Sequence, residues 1–434
     1  MIRVIKERIK QIQRGEVPTG YLKTKRGILP TDWENVKIGE CLQRVENPVQ
    51  VEPDTMYTQI GIRSHGKGLF YKDPVMGREL KHKAVFWIEP DCFILNIVFA
   101  WEQAVGKTTS REKGMIGSHR FPMYWPVNHK VDIDYLIAYF LTKRGTEILG
   151  EASPGGAGRN RTLGQESFLK STIVLPPIEE QEKIAKILMT QDQVITLKER
   201  YLVEKEKQKK YLMQVLLTGE KRLPGFSGVW KAVRFSDIFT FGSTNSFARQ
   251  YMSPQGEGIK NIHYGDILIK YDEIVDAGKE FIPVLLPNVN LGQNEFLSDG
   301  DIVIADTAED LTAGKVIEIQ NVGTQKIVAG MHTMLCKPKK NLFAPRWLGF
   351  YMNSSHYHKR LIPYIAGIKV MSISKGNIAN THILVPPIKE QRAIVEVLSM
   401  VDKEISLLRR ELEEERQKKK ALMQLLLSGI VRMV

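Results

Sequence analysis

Few stretches of this 434-residue sequence offer side chains whose types and spacing could do covalent chemistry. Pro53-Asp54 with Glu79-Leu80-Lys81 loosely matches a Pro-Asp…Glu-x-Lys constellation. In such a site carboxylates hold a metal that activates water, and the lysine assists. The pattern is short and its spacing permissive, and chance matches are common in a chain that is 26% charged. A metal-dependent nuclease using Asp54, Glu79 and Lys81 therefore stands as an alternative, not as the leading reading. His356 and His358 could chelate from a strand face, but Tyr357 and helical surroundings favour a solvated pair. Gly106-Lys107-Thr108 resembles the end of a phosphate-binding loop, yet the upstream position that must be glycine is Trp101. Gly155-Gly156-Ala157-Gly158 does not sit between a long strand and a helix, so a dinucleotide fingerprint is not expected. Cys41, Cys92 and Cys336 are far apart and odd in number, which points to neither a disulfide framework nor a CxxC metal site. No catalytic residue, metal ligand or bound cofactor is assigned to this chain.

The remaining chemistry is non-covalent. A net charge of +13 and a pI near 9.4 suit a polyanionic partner. The excess is largest in residues 1–175, with 26 Lys and Arg against 19 Asp and Glu. Phosphates call for Lys, Arg and small polar donors, and base edges for Arg, Lys, Asn, Gln or hydroxyls on a presented loop. In the first half Arg63, His65 and Lys67 lie in a polar, Gly-flanked turn, and Lys107, Arg111 and Lys113 lie in a second. His119-Arg120 precedes an aromatic cluster, and Arg159-Asn160-Arg161 extends from a glycine-rich loop and is the best single candidate. In the second half the candidates are Arg249, Lys260, Lys369, Ser372 and Lys375. For each, the bland reading is an ordinary solvated loop. Loops on a rigid scaffold are the usual place for such contacts.

The scaffold is legible as an internal repeat. Ile173–Gly219 and Ile383–Gly429 align without a gap at an offset of 210 residues, with nearly half the positions identical. Each copy opens on Pro-Pro (Pro176-Pro177, Pro386-Pro387), which suits the start of a helix but not its interior. Glu179, Glu180 and Glu390 fall in the first turn, where negative charge complements the helix dipole. Ile394, Leu398, Val401, Ile405, Leu408 and Leu412 step by 4, 3, 4, 3, 4, a coiled-coil seam. The first copy places Gln191 and Lys198 in the same seam, and Gly219 and Gly429 occupy the stop position. Two amphipathic helices packed on their own domains are the bland alternative, but neither apolar stripe is wide enough for that along its whole length. Ahead of each copy lies a globular segment that opens on Leu-Pro, then Trp33 or Trp230, then a short strand. Asp91–Ile94 and Asp301–Ile304 read as buried strands, and Thr162 with Gln165 has capping-box spacing. The expected architecture is α+β: two mixed α/β globular domains separated by two long coiled-coil helices, with an internal pseudo-two-fold repeat. Its boundaries are residues 1–175 with a short helix at 2–14, then 176–222, 223–385 and 386–434.

The chain resembles a specificity subunit of a type I restriction–modification system over essentially its full length. The carriers are Pro-Pro-Ile-x-Glu-Gln twice (Pro176–Gln181, Pro386–Gln391) and LMQ-x-LL-[TS]-G twice (Leu212–Gly219, Leu422–Gly429). FAWEQAVG (Phe99–Gly106) followed by GSHRFPMY (Gly117–Tyr124) adds to them. The resemblance implies that each globular segment is a target recognition domain that reads one half of a split sequence in double-stranded DNA. It implies that the helices pair antiparallel and dock two modification subunits, with restriction subunits as further partners. S-adenosylmethionine, ATP and Mg are then expected on those partners, and this chain is expected to be a non-enzymatic, cytoplasmic subunit. Asn47-Pro48-Val49-Gln50 lacks the second proline and the aromatic of an adenine-methyltransferase motif, in keeping with that division. Half-site centres near one helical turn apart, roughly 34–36 Å, are expected, with helix length setting the spacer. Leu212, Met213, Leu216 and Leu217, with Leu422, Met423, Leu426 and Leu427, form dense apolar helix ends and are the expected partner-docking residues. A coiled-coil scaffold whose globular segments bind protein is the other alternative. The N-terminal stretch is too charged for a signal peptide, and no apolar run is long enough to span a bilayer.

Overall fold

The computed structural model describes residues 2–24, 27–80, 84–155, 161–287, 289–339 and 341–433, with Ile2 and Arg3 described by backbone alone. The chain forms two compact units: Met1–Glu199 with Arg410–Val434, and Arg200–Arg409. Each unit takes one globular segment and part of both long helices, Ile178–Leu216 and Ile388–Leu426, which are 39 residues each. Gly219 (φ 74°) and Gly429 (φ 71°) take the left-handed conformation that ends each helix.

In the first unit the strands Val105–Lys107, Phe93–Leu95, Met123–Pro126 and Leu42–Val45 form one antiparallel sheet in that order. The chain enters on Glu34–Lys37 and leaves on Thr172–Leu175, and the two strands zip together antiparallel. This pairing returns the chain to the start of the long helix. The core gathers Phe93, Tyr124, Tyr135, Phe140 and Phe168 over Ile184 and Leu188 from the first long helix and Leu426 and Leu427 from the second. The two helix segments run antiparallel, since Gln191 donates to a Glu415 carboxylate oxygen (2.7 Å) and Lys198 to Glu411 (2.8 Å). The two polar seam positions are thus filled by cross-helix partners, where an apolar seam would leave them unsatisfied.

The second unit repeats the plan. Lys231–Arg234 zips with His382–Val385, and a five-stranded sheet runs Phe239–Phe241, Thr333–Pro338, Ile302–Ala305, Val316–Gln320, Ile274–Asp276, its last pair parallel. Ile302 to Ala305 are all buried, as the apolar run predicts. The helix segments again run antiparallel, through Glu206–Arg409 (2.8 Å) and Lys209–Asp402 (2.7 Å). Lys209 bridges Glu273 and Asp402, each at 2.7 Å, and so ties the helix pair to the globular segment.

The Pro-Pro-Ile-x-Glu-Gln motif has a structural explanation in both units. Gln181 and Gln391 are fully buried. Gln181 donates to the carbonyls of Lys130 and Pro176 and accepts from the Asp132 N–H. Gln391 donates to Leu342 and Pro386 and accepts from the Ala344 N–H. Each glutamine thereby satisfies three buried or part-buried backbone groups. The neighbouring Glu180 accepts from Trp33 Nε1 (3.2 Å) and from Arg432 (2.8 Å); Glu390 accepts from Trp230 Nε1 (3.1 Å) and from Arg222 (2.7 Å). A Trp–Glu–Arg lock therefore closes each unit at the start of its own long helix.

Several expectations need correcting. Met213, Leu216 and Leu217 are buried in the second unit's core, and Leu426 and Leu427 in the first unit's. Leu212, Leu422 and Met423 pack at the margins of the same cores. These helix ends are engaged by the chain's own globular segments, and an apolar cluster at a helix end looks the same in sequence whichever partner covers it. The helix Gln165–Lys170 is capped at Gly164 without a side-chain hydrogen bond, so Thr162 does not form the expected capping box. The capping box of this unit joins Thr109 and Glu112 instead.

Candidate nucleic-acid interface

In the first unit the turn at residues 96–104, which overlaps the stretch Phe99–Gly106, is a hub for three others. The His65 and Gly66 N–H groups donate to the Glu102 and Gln103 carbonyls, and Ser64 Oγ to the Glu102 carboxylate (2.9 Å). The Ile97 N–H donates to the Arg120 carbonyl, and the Leu163 N–H to the Ile97 carbonyl (2.8 Å). Gln103, at φ 62°, reaches Thr146 Oγ1 (2.6 Å) and fixes the hub to the helices behind it. Three loops that are remote in sequence therefore meet at one place, carrying Arg63, His65 and Lys67, then His119 and Arg120, then Arg161. All six side chains are exposed. Arg161 lies 5.7 Å over the Trp101 ring, and Arg63 5.1 Å over Phe70. Arg159 and Asn160 lie outside the described residues.

Arg111 and Lys113 are also exposed. Arg111 stacks 4.7 Å from the Tyr71 ring, and Tyr71 donates to Glu112. Burial pushes the Glu112 carboxyl up, but the hydrogen bonds from Tyr71 and Thr109 outweigh it and hold its pKa below the ordinary value. The Arg111 turn is thus held by a charged, hydrogen-bonded carboxylate. Phe70 and Tyr71 are consecutive in a strand, so Arg63 and Arg111 sit over opposite faces of that hairpin. Lys107 is different: it lies in a strand, half-buried, with its ammonium 2.7 Å from Asp134. That ion pair removes it from the set of free cations.

The second unit has a similar layout with fewer free charges. Arg249 is held by both oxygens of Asp266 at 2.9 and 2.7 Å, and Lys260 by Gln325. Both are engaged within the fold, contrary to the sequence-based expectation. Lys369, Ser372 and Lys375 are exposed, and Lys375 lies 5.7 Å from the Phe241 ring. They belong to a segment joined to the turn after the central strand: Thr307 pairs with Ser372, and the Ile373 N–H donates to the Asp306 carbonyl (2.9 Å). This mirrors the contact of Ile97 with Leu163 in the first unit.

The candidate covalent sites are placed as follows. Asp54 is exposed and 3.4 Å from Arg78, Glu79 accepts from the Met76 N–H (2.9 Å), and Lys81 lies outside the described residues. His356 Nε2 lies 2.8 Å from Arg360, whereas His358 Nε2 lies 2.7 Å from the Leu311 carbonyl, so the two rings serve different partners. Among the described residues no group of three or more His, Cys, Asp or Glu side chains is arranged to hold a metal ion. Burial pushes the Cys41 thiol up to about 11 and that of Cys92 to about 12, and raises Cys336 as well. All three are therefore poor nucleophiles near neutral pH. No helix among the described residues is long and apolar enough to cross a membrane.

Sequence reasoning missed the Trp–Glu–Arg locks and the hub. The signal for the locks was present, because Arg222 and Arg432 each stand three residues after a helix-stop glycine, at the repeat offset.

The chain is similar to several known proteins. It is 23% identical over 426 residues to the Type I restriction enzyme MjaVIII specificity subunit of Methanocaldococcus jannaschii, covering 93% of this chain and 94% of the relative. It is 25% identical over 446 residues to the putative type I restriction enzyme MjaX specificity subunit of the same organism, covering 95% and 96%. Its fold is similar to that of the HsdS subunit from Thermoanaerobacter tengcongensis, with a TM-score of 0.50, 18% identity, and coverage of 94% of this chain and 100% of the other. It also matches the S subunit of a type I restriction-modification system from M. genitalium, with a TM-score of 0.53, 13% identity, and coverage of 91% and 96%. The family described as the type I restriction modification DNA specificity domain matches residues 30–207 and again 229–415. With one match in each half, over most of its length, the chain belongs to the type I restriction modification DNA specificity domain family.

Proposed function

We propose that this chain chooses the DNA for a type I restriction–modification complex, reading one half of a split target with each unit and docking the modification and restriction subunits. The observation that carries the reading is the hub in the first unit, where three cationic turns converge on the 96–104 turn inside a matched DNA specificity domain. Exposed Arg63, Lys67, Arg111, Lys113 and Arg120 supply phosphate contacts, which position the duplex without reading it. Arg161 on its Trp101 shelf, together with His65 and His119, is the set offered to base edges. The chain contributes selection and holds no cofactor of its own. S-adenosylmethionine, ATP and Mg belong to the partner subunits, and the complex acts on DNA in the cytoplasm.

The test is a genome-wide map of methylated adenine in the source cells with and without this gene. Loss of one motif, two short half-sites around a fixed gap, is the expected result. An unchanged map in cells that still make an active modification subunit would overturn the reading.

A further inference from the structure

The second unit presents an apolar tip for which its fold has no use. Ala366 and Ser372 exchange both backbone hydrogen bonds (3.0 and 2.9 Å), closing a tight turn over residues 366–372. The stem is braced by the pairing of Met371-Ser372 with Thr307-Ala308. Gly367 sits at φ 146°, and a Cβ there would fall 1.9 Å from the Val370 carbonyl oxygen, so only glycine permits the turn. The turn is therefore a built feature, and what it displays is Ile368, 97% exposed, beside Val370, 55% exposed. A lone exposed aliphatic residue is ordinary. Here two aliphatic residues share one glycine-dependent turn with exposed Lys369 between them, and exposed Tyr364 (43%) and Lys375 stand in the sequence on either side of it. The adjoining turn carries exposed Glu309 and Asp310, which oppose phosphate. An approach to a polyanion must therefore be made by the protruding tip and its lysines, not by the surface beneath.

The position of the tip in the repeat matters as much as its chemistry. It follows the short helices and touches the turn after the central strand, as the segment carrying Arg161 does in the first unit. Resting on the reading of this chain as a DNA selector, we propose that Ile368 contacts the base-pair stack of the second half-site, an apolar probe held out by the 366–372 turn. Aliphatic side chains meet DNA bases in two ways, against a thymine methyl in the major groove or as a wedge at a base step. Both are read without hydrogen bonds and without releasing counterions.

The experiment uses the full chain assembled with its modification subunits, the split duplex identified by the methylation map, and a scrambled duplex, over a range of salt concentrations. Ile368→Ala is expected to weaken target binding about tenfold. Scrambled-duplex binding and the slope of log K against log salt should stay unchanged. Lys369→Ala is expected to lower that slope by about 0.9 for one lost phosphate contact. Gly367→Ala, which breaks the turn while leaving Ile368 in place, should reproduce the loss of Ile368→Ala. Replacing thymine by uracil, base by base, across the second half-site identifies a methyl contact if one replacement abolishes the effect of Ile368→Ala. 2-Aminopurine placed away from the methylated adenine identifies a wedge if it brightens with the native complex alone. Target affinity unchanged by Ile368→Ala, or an equal loss on both duplexes, would overturn the inference. A native complex that shows no preference for the split duplex would instead sink the DNA-selector reading itself.

Discussion

The two Trp–Glu–Arg locks are the same contact made from differently connected chain. In the second unit Arg222 and Trp230 lie on one continuous segment that runs out of the first long helix and clasps Glu390 at the start of the second. In the first unit Trp33 comes from near the beginning of the sequence and Arg432 from near its end, and they meet on Glu180. Where the second unit has peptide bonds, the first has additional polar contacts. Arg432 also reaches Asp32 (2.6 Å), the Met433 N–H donates to Glu180 (2.8 Å), Tyr21 Oη to the Gly429 carbonyl (2.6 Å), and Arg8 to the Ile430 carbonyl (2.9 Å). Joining distant segments carries a loop-closure cost that a continuous segment avoids, and it grows only slowly with length. A handful of charge-assisted hydrogen bonds is the right size to offset it.

The sharpest way to break this comparison is to remove the shared glutamate. Glu180→Ala leaves Arg432, whose side chain is only 13% exposed, with Asp32 in place of two carboxylates, takes the acceptor from Trp33 Nε1 and the Met433 N–H, and should cost about 3 kcal/mol. Glu390→Ala strands Arg222, which is 27% exposed, and should cost less. Denaturant unfolding followed by tryptophan fluorescence measures both, and equal losses would mean that connectivity does not matter. Next in size, Gln181→Ala and Gln391→Ala each leave three buried or part-buried backbone groups without their glutamine partner, an expected cost of roughly 2 kcal/mol in either unit. Here the same measurement should find the two halves alike, because both clamps are made within continuous parts of their units.

A pH scan separates the units further. Glu318 is buried in the second unit, accepting from the Arg346 and Gly349 N–H groups, and burial pushes its pKa from an ordinary 4.5 up to about 7. The folded state therefore holds the proton more tightly than the unfolded state. Its stabilising contribution is complete below about pH 4.5 and is lost as pH rises through about 7, at roughly 1.4 kcal/mol per unit of displacement. Glu318→Gln should flatten the fall in the second unit's unfolding midpoint between pH 5 and pH 8. An unaltered slope would show that another group carries it. The smallest effect belongs to Arg161→Ala, which should weaken target binding by about 1 kcal/mol and reduce the salt slope. With Ile368→Ala it forms a pair that tests whether one loop reads through charge and its counterpart through apolar contact. Equal salt slopes in the two variants would erase that distinction.

The repeat, both long helices, their Pro-Pro starts and glycine stops, and the strands after Trp33 and Trp230 could all be read from the sequence. Each is fixed by local periodicity or by a residue with few conformational options. The polar seam positions Gln191 and Lys198 were visible too, though not their partners Glu415 and Glu411. What could not be read is which cations are free. Lys107, Arg249 and Lys260 find Asp134, Asp266 and Gln325, which are 27, 17 and 65 residues away, and no local pattern encodes such a meeting. Leu216 and Leu426 mislead for a related reason, because apolar density signals burial without naming the surface that provides it. The hub was hidden because the contacts that join its three loops to it are mostly backbone hydrogen bonds, which any sequence can make.

The composition of the first unit has a consequence for synthesis. The second unit, Arg200–Arg409, is continuous, and all of its parts have left the ribosome once residue 409 has emerged. The first unit begins earlier and finishes later. Its globular segment and the apolar face of Ile184 and Leu188 must wait for Leu426 and Leu427, while the intervening 210 residues are translated. At ordinary elongation rates that interval is roughly 10–40 s. Throughout it, the half-built core is a nascent-chain liability, open to chaperones and to neighbouring polysomes alike.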